Sequence, residues 1–252
     1  MKVIYNNIGI KSVKHLCCVL ALSRDQLEFL LKNLNLYYYS FNLPKRDKRK
    51  NIKVKDGVQQ FRTITPSIEG LREIQTKINL RILSQIQLPV YITGVIKGLD
   101  NIKNAKAHKG LKYHFKTDLK NYFPSITYDR VFNMFKSHGF SDKVSKILAS
   151  LTTYDNQVPQ GAPTSSSIAN LVFLKYDKPL IDFCIQNNIV YTRFIDDLVF
   201  SSSTAFQKKT STLVDLILKS GFTISHKKTF YSAGYIVLER KLITYSISIT
   251  CK

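Results

Sequence analysis

Residues 190–202 read VYTRFIDDLVFSS, and the reading of this stretch decides the fold. Aromatic and β-branched residues flank Asp196 and Asp197 on both sides, which predicts two short strands joined by a tight turn that carries the acids. An Asp-Asp pair alone is most often just a polar turn, since turns are rich in Asp. Here the flanks bury the strands and leave the acids as the polar tip. A third acid lies upstream, in YHFKTD at residues 113–118. Tyr113, Phe115 and Thr117 alternate there with His114, Lys116 and Asp118, the period of a half-buried strand ending on a carboxylate. On neighbouring strands, Asp118, Asp196 and Asp197 could bridge two hard cations, an arrangement suited to in-line phosphoryl transfer.

Outward from this centre, the apolar spacing is helical. Residues 165–187 read as a long, mostly buried helix, Val144, Ile147, Leu148 and Leu151 mark another, and Leu213, Leu216 and Ile217 a third, stopped by Gly221. Leu71, Ile74, Ile78 and Ile82 repeat on one face of a further helix. Ser23 and Gln26 form a capping box, with Leu22 and Leu27 placed as its staple. Residues 37–66 alternate strand-like pieces with a basic loop. There is no internal repeat and no low-complexity linker, and the result is an α+β body with helical N-terminal elements.

The 252 residues suffice for one large domain or two packed subdomains, and the 44% hydrophobic and 12% aromatic content suits a folded protein. Against 17 acidic residues stand 38 basic ones, a net charge of +21. That excess makes nucleic acid the first candidate partner and an anionic membrane surface the second. No apolar run approaches a membrane span, and no signal peptide is expected. Cys17, Cys18, Cys184 and Cys251 lack metal-ligand or disulfide spacing and read as free thiols of a reducing cytoplasm. The run from Lys45 to Lys55 holds seven Lys or Arg and one Asp. It reads either as a solvated surface loop or as a contact for RNA phosphates through Lys45, Arg46, Lys48, Arg49 and Lys50. His108 reads as a structural histidine.

Four segments, FKTDLKNYFPSI, VPQGAPTSSSIANLVF, YTRFIDDLVFSS and GFTISHKKT, follow one another in the order of motifs A to D of the reverse transcriptases. Upstream, YYSFNLPK, FRTITPSIEGLREIQTKI and NAKAH resemble the bacterial retron-type branch. The resemblance runs from about Ser12 to about Thr244. It implies a right-hand polymerase with helical and stranded fingers at 1–110 and an antiparallel-sheet palm at 111–240, with a helical insertion at 127–157. Residues 241–252 would form a primer-grip-like end, the thumb being largely absent.

The resemblance also assigns roles. Asp118 and Asp196 would hold two Mg²⁺ ions, or Mn²⁺, with Asp197 as a supporting carboxylate. Phe123 falls where the family places a steric gate against the ribose 2′-hydroxyl; without that motif the ring would read as plain core. Gln160 and Gly161 would line the incoming nucleotide, where Gly lets backbone approach. Arg62 would grip the triphosphate with its forked donors, and Lys228 would protonate the leaving pyrophosphate. Expected partners are an RNA template or structured noncoding RNA, deoxynucleoside triphosphates, the DNA product, and a second protein or another copy supplying the clamp. A bacterial cytoplasmic setting and a role in antiphage defence are implied. Two rival readings stay open: a defence-associated reverse transcriptase outside the retrons, and a catalytically silent RNA-binding scaffold. The sequence departs from the family at Phe194, usually Tyr, at Ile195, usually small, at Ser166, often Pro, and at Leu242, Ile243 and Thr244, where retrons carry V-T-G.

Overall fold

The structure is a computed structural model and describes residues 9–47, 49–94 and 101–234. Lys48 of the basic run, Cys251 and the primer-grip-like end at 241–252 lie outside the described residues. Helices α1 (Val13–Leu20) and α2 (Arg24–Lys32) lead to β1 (Phe41–Pro44), β2 (Val54–Lys55), β3 (Val58–Gln59), β4 (Phe61–Ile64) and α3 (Leu71–Arg81). Then come α4 (Asn101–Ala107), β5 (Tyr113–Asp118), α5 (Tyr122–Ser125), α6 (Tyr128–Ser137), α7 (Asp142–Thr152) and α8 (Ser165–Gln186). The described chain closes with β6 (Val190–Phe194), β7 (Asp197–Ser202), α9 (Thr210–Leu218) and β8 (Phe230–Ala233). This is the mixed helix-and-sheet body the sequence predicts. Among the described residues no helix is long and apolar enough to cross a membrane.

Two compact units result, each from two separate stretches: Met1–Gln87 with Phe123–Val172, and Leu88–Tyr122 with Phe173–Lys252. In the first unit the helices start where their caps say. Ser12, Ser23, Thr127 and Ser141 each accept from a backbone N–H three residues on, and Gln26 closes the predicted capping box. Leu71, Ile74, Ile78 and Ile82 are all buried as their spacing requires. Gln75 lies among them, also fully buried. Its amide donates to Tyr38 Oη (2.7 Å) and the Leu151 carbonyl (2.8 Å) and accepts from Ser67 Oγ (2.7 Å), so no polar atom is stranded. Strands β1 and β4 pair antiparallel, and β2 and β3 form a hairpin. Its turn is Asp56-Gly57, both at positive φ (51° and 77°), as a two-residue hairpin turn matching strand twist demands.

The second unit is built on an antiparallel sheet in the order β6-β7-β5-β8. Strand alternation gives it two different faces. One carries Phe115, Tyr191, Phe200 and Tyr231, with ring centroids of 5.7 Å for Phe115–Phe200 and 4.9 Å for Tyr191–Phe200. α8 lies on this side, Phe173 sitting 5.0 Å beneath the Arg193 guanidinium. The other face carries His114, Lys116 and Asp118 beside Asp197, Val199 and Ser201. At its far end His108 bridges Ser201 Oγ (2.5 Å) and Thr192 Oγ1 (2.6 Å). Burial pushes this imidazole down to about 4, with His114 adding to the shift, so it is a neutral, fully bonded structural residue, as expected.

β5 is not the half-buried strand its alternation predicts. His114 (1% exposed) and Asp118 (5%) are as covered as Phe115 (3%) and Thr117 (0%). The reason is that the second face is covered too: His108 lies on it at Ser201, the residue paired with His114, and Lys228 lies on Asp118.

Candidate active site

Register brings the acids together. Asp118, last in β5, stands directly opposite Asp197, first in β7. The turn between β6 and β7 is therefore Ile195-Asp196, with Asp197 already in the strand. The Leu119 N–H donates to the Asp196 carbonyl (2.9 Å), which ties the turn to the residue after Asp118. Two carboxylates directly opposite on paired strands repel. Lysines offset this: Lys228 Nζ lies 2.7 Å from Asp118 Oδ2, and Lys116 Nζ lies 3.1 Å from Asp197 Oδ1.

The sequence puts each lysine there by a different route. Lys116 is two residues before Asp118, hence on the same face of β5 and diagonal to Asp197. Lys228 arrives because residues 223–225 run beside 118–120, with Lys120 N to Thr223 O at 2.8 Å and Ser225 N to Asp118 O at 2.8 Å. A 3₁₀ turn at His226–Lys228 then returns the chain toward Asp118.

Burial lifts the Asp118 carboxyl above its ordinary range, with Asp197 adding to the lift against the pull of Lys228. Asp196 is pushed up to about 6, by burial first and then by Asp118 and Asp197. Burial works against the charge on Lys228, yet the Asp118 carboxylate holds its pKa above the ordinary value. The site thus has more negative charge than its own lysines neutralise. That imbalance, and an all-oxygen donor set, suits a hard cation. Among the described residues no trio of His, Cys, Asp or Glu already converges on one point.

The four residues expected to contact the nucleotide belong to the first unit. Arg62 is exposed on β4. Thr65, just beyond β4, donates its N–H to the Gln160 carbonyl (2.7 Å), so the Gln160-Gly161 turn is fastened to the end of that strand. Gly161 has φ 108°, and a Cβ there would meet Ile64 Cγ2 at 3.0 Å, so glycine is required twice over. Phe123 is half-buried and outside the core. Lys45, Arg46, Arg49 and Lys50 are exposed, and none is in a salt bridge among the described residues. Asp47 instead accepts from the N–H groups of Arg49 (2.8 Å) and Asn51 (2.9 Å), shaping the loop rather than neutralising it.

Sequence reasoning missed three contributors. Lys116 was legible from its period-2 relation to Asp118. Arg193, a charge on the aromatic face of β6, is fully buried and pairs with Asp177 of α8 at 2.7 Å. Gly94 abuts the turn: a Cβ there would lie 2.9 Å from both Ile195 Cγ1 and Ile195 N. The larger residue that departs from the family pattern at 195 thus packs against a glycine. Gly94→Ala is expected to destabilise the chain by about 1–3 kcal/mol. Ile195→Ala should restore only part of this, because the clash with the backbone nitrogen stays. Urea unfolding of both variants checks it, and a wild-type midpoint for Gly94→Ala would sink it.

Acids at the tip of the β6–β7 hairpin and at the end of β5 beside it, in one antiparallel sheet, sit in a mixed helix-and-sheet body consistent with a palm-and-fingers polymerase fold. Residues 43–244 match the family described as Reverse transcriptase (RNA-dependent DNA polymerase), and the chain belongs to that family. Its curated relatives include the Retron Se72 reverse transcriptase of Salmonella heidelberg (strain 579083-10), 31% identical over 83% of this chain and 53% of the relative. The Retron Ec86 reverse transcriptase of Escherichia coli is 29% identical over 84% of this chain and 64% of the relative. The Retron Mx162 reverse transcriptase of Myxococcus xanthus is 31% identical over 69% and 37%. The chain thus spans roughly half the length of the curated relatives it matches.

Proposed function

We propose that this chain is an RNA-directed DNA polymerase of retron type that copies an associated noncoding RNA into DNA from deoxynucleoside triphosphates. The observation that carries the reading is the gathering of Asp118, Asp196 and Asp197, with Lys228 in contact, at one end of one sheet face. Asp118 and Asp196 would hold two Mg²⁺ ions, or Mn²⁺, and Asp197 would support them. Bound there, the metals would activate the primer hydroxyl and neutralise charge on the leaving pyrophosphate.

The chain's own groups supply the rest. Lys228, kept protonated by Asp118, would hold the proton that the leaving pyrophosphate needs. Arg62 grips the triphosphate, and Gln160 and Gly161 bring backbone against the nucleotide. Lys45, Arg46, Lys48, Arg49 and Lys50 hold RNA phosphates. Residues 1–110 would serve as fingers and 111–240 as palm, a functional division by motif order. A bacterial cytoplasmic setting and a part in antiphage defence complete the proposal by likeness to the retron proteins.

Primer extension on an RNA template in Mg²⁺, with sequencing of co-purified nucleic acid, tests the reading. A well-folded chain that incorporates no deoxynucleotide with its native RNA would sink it. Phe123 is the sugar gate in this scheme, its half-buried ring standing as a wall against the 2′-hydroxyl. Phe123→Ala is expected to raise ribonucleotide relative to deoxynucleotide incorporation by on the order of 10²-fold. An unchanged ratio of the two kcat/KM values would return Phe123 to a packing role.

A further inference from the structure

A fully buried ion pair stands on the aromatic face of the sheet, where nothing in the proposed chemistry calls for it. Arg193 and Asp177 both have 0% side-chain exposure. Arg193 Nε donates to Asp177 Oδ1 (3.0 Å) and Nη2 to Oδ2 (2.7 Å), while the Tyr191 hydroxyl donates to Oδ1 (2.6 Å). Stability alone does not explain this arrangement. Two apolar side chains of similar volume would serve a core as well or better, by up to about 1–4 kcal/mol.

The third guanidinium nitrogen supplies the explanation. Arg193 Nη1 donates to the carbonyl of Ile195 (3.2 Å), inside the turn that presents Asp196. Ile195 has φ 56°, a left-handed conformation that β-branched residues avoid and that persists only where neighbours over-determine it. Three contacts do so: Arg193 on the Ile195 carbonyl, Leu119 N–H on the Asp196 carbonyl, and Gly94 against the Ile195 backbone. Only a planar fork can engage a carboxylate through two nitrogens and reach a carbonyl with the third.

We propose that Arg193, fixed by Asp177 and Tyr191, is a positioning residue that sets the Ile195-Asp196 turn, and with it the spacing of the Asp196 and Asp118 carboxylates for divalent-cation capture. The inference rests on the polymerase reading for its consequence in catalysis, but its geometry is independent of it. Two variants separate positioning from stability. The double variant Asp177→Leu with Arg193→Met removes both charges and keeps the volume, whereas Arg193→Lys keeps a charge against Asp177 but loses the fork.

Both are expected to lower kcat for extension about 10–100-fold, with KM for the deoxynucleotide within about 3-fold of wild type. Mn²⁺ binding to the protein without substrate, read by electron paramagnetic resonance, should weaken by about 10-fold. The apolar double variant strands no charge and loses only the partners of the Tyr191 hydroxyl and the Ile195 carbonyl, so it should stay folded, within about 1–3 kcal/mol of wild type in urea. If it does not fold, Arg193→Lys decides. Wild-type kcat and Mn²⁺ affinity in either folded variant would overturn the proposal. Should the wild-type chain extend no primer, the polymerase reading falls, and the Mn²⁺ comparison still decides the role of Arg193.

Discussion

Asp196→Asn is expected to abolish nucleotide incorporation while making the metal-free chain more stable above pH 6. The activity loss follows from removing one of the carboxylates assigned to the cations. A reduction of on the order of 10²–10³-fold is the least expected for a group acting directly on charge in the transition state. The stability gain follows from Asp196 holding its proton up to about pH 6 in the folded chain, against an ordinary 3.8. Between those two values the folded state binds more protons than the unfolded state, so stability falls as pH rises through the window. Above it the ionised group carries its full penalty, at most about 3 kcal/mol for a shift of this size. Asparagine carries no charge and escapes it.

The gain should vanish below about pH 4, where aspartate is protonated in both states. Millimolar Mg²⁺ should narrow it, because a cation that binds only the folded chain stabilises the wild type more. Urea unfolding at pH 4 and pH 8, with chelator and with Mg²⁺, reads all three outcomes. Normal extension by the variant would remove Asp196 from the site, and an unchanged unfolding midpoint at pH 8 would remove the electrostatic account.

Asp177→Ala should produce the largest loss of stability of any single substitution considered. Removing one partner leaves the Arg193 cation fully buried without its carboxylate, a defect costing about 3–5 kcal/mol. The paired apolar replacement strands no charge and leaves only neutral partners such as the Tyr191 hydroxyl unmatched, so it should cost less than Asp177→Ala. Asp177→Asn should fall between them, since its amide oxygen can still accept from the guanidinium. Equilibrium urea unfolding of the three variants checks the order. A loss under about 1 kcal/mol for Asp177→Ala would mean the pair relaxes into water more readily than its burial indicates.

What the sequence disclosed and what it hid have physical reasons. The hairpin at 190–202 and the helix at 165–187, against an observed Ser165–Gln186, were legible because apolar period encodes which face is covered. The approach of Asp118 to the Asp196-Asp197 hairpin came from motif order, and strand register then made Asp118 and Asp197 direct opposites. Period says nothing about what other parts of the chain pack on the second face of a sheet, so the burial of His114 and Asp118 escaped it. The Arg193–Asp177 pair escaped for another reason: a lone arginine in a strand reads as a solvent-facing residue until its partner on α8 is known. The signal that could have flagged it is its parity with Tyr191, which points toward the core. Asp56-Gly57, just past the basic run, is a readable hairpin signal.

The position of β5 also governs how the chain can be made. Its hydrogen-bonding partners, β7 and β8, begin 79 and 112 residues after Asp118, at Asp197 and Phe230. At cellular rates of synthesis the first gap lasts on the order of ten seconds. Throughout that time the future central strand waits with both edges open, and pairing over such sequence separations is slow to nucleate. The β6–β7 hairpin, by contrast, is local and can form as soon as it emerges. Lys112 and Lys116 place charge in and beside that strand, the pattern that discourages an open strand edge from joining the wrong neighbour. The lysine that pairs with Asp197 in the folded sheet is thus a charge on that strand while its partners are still to come.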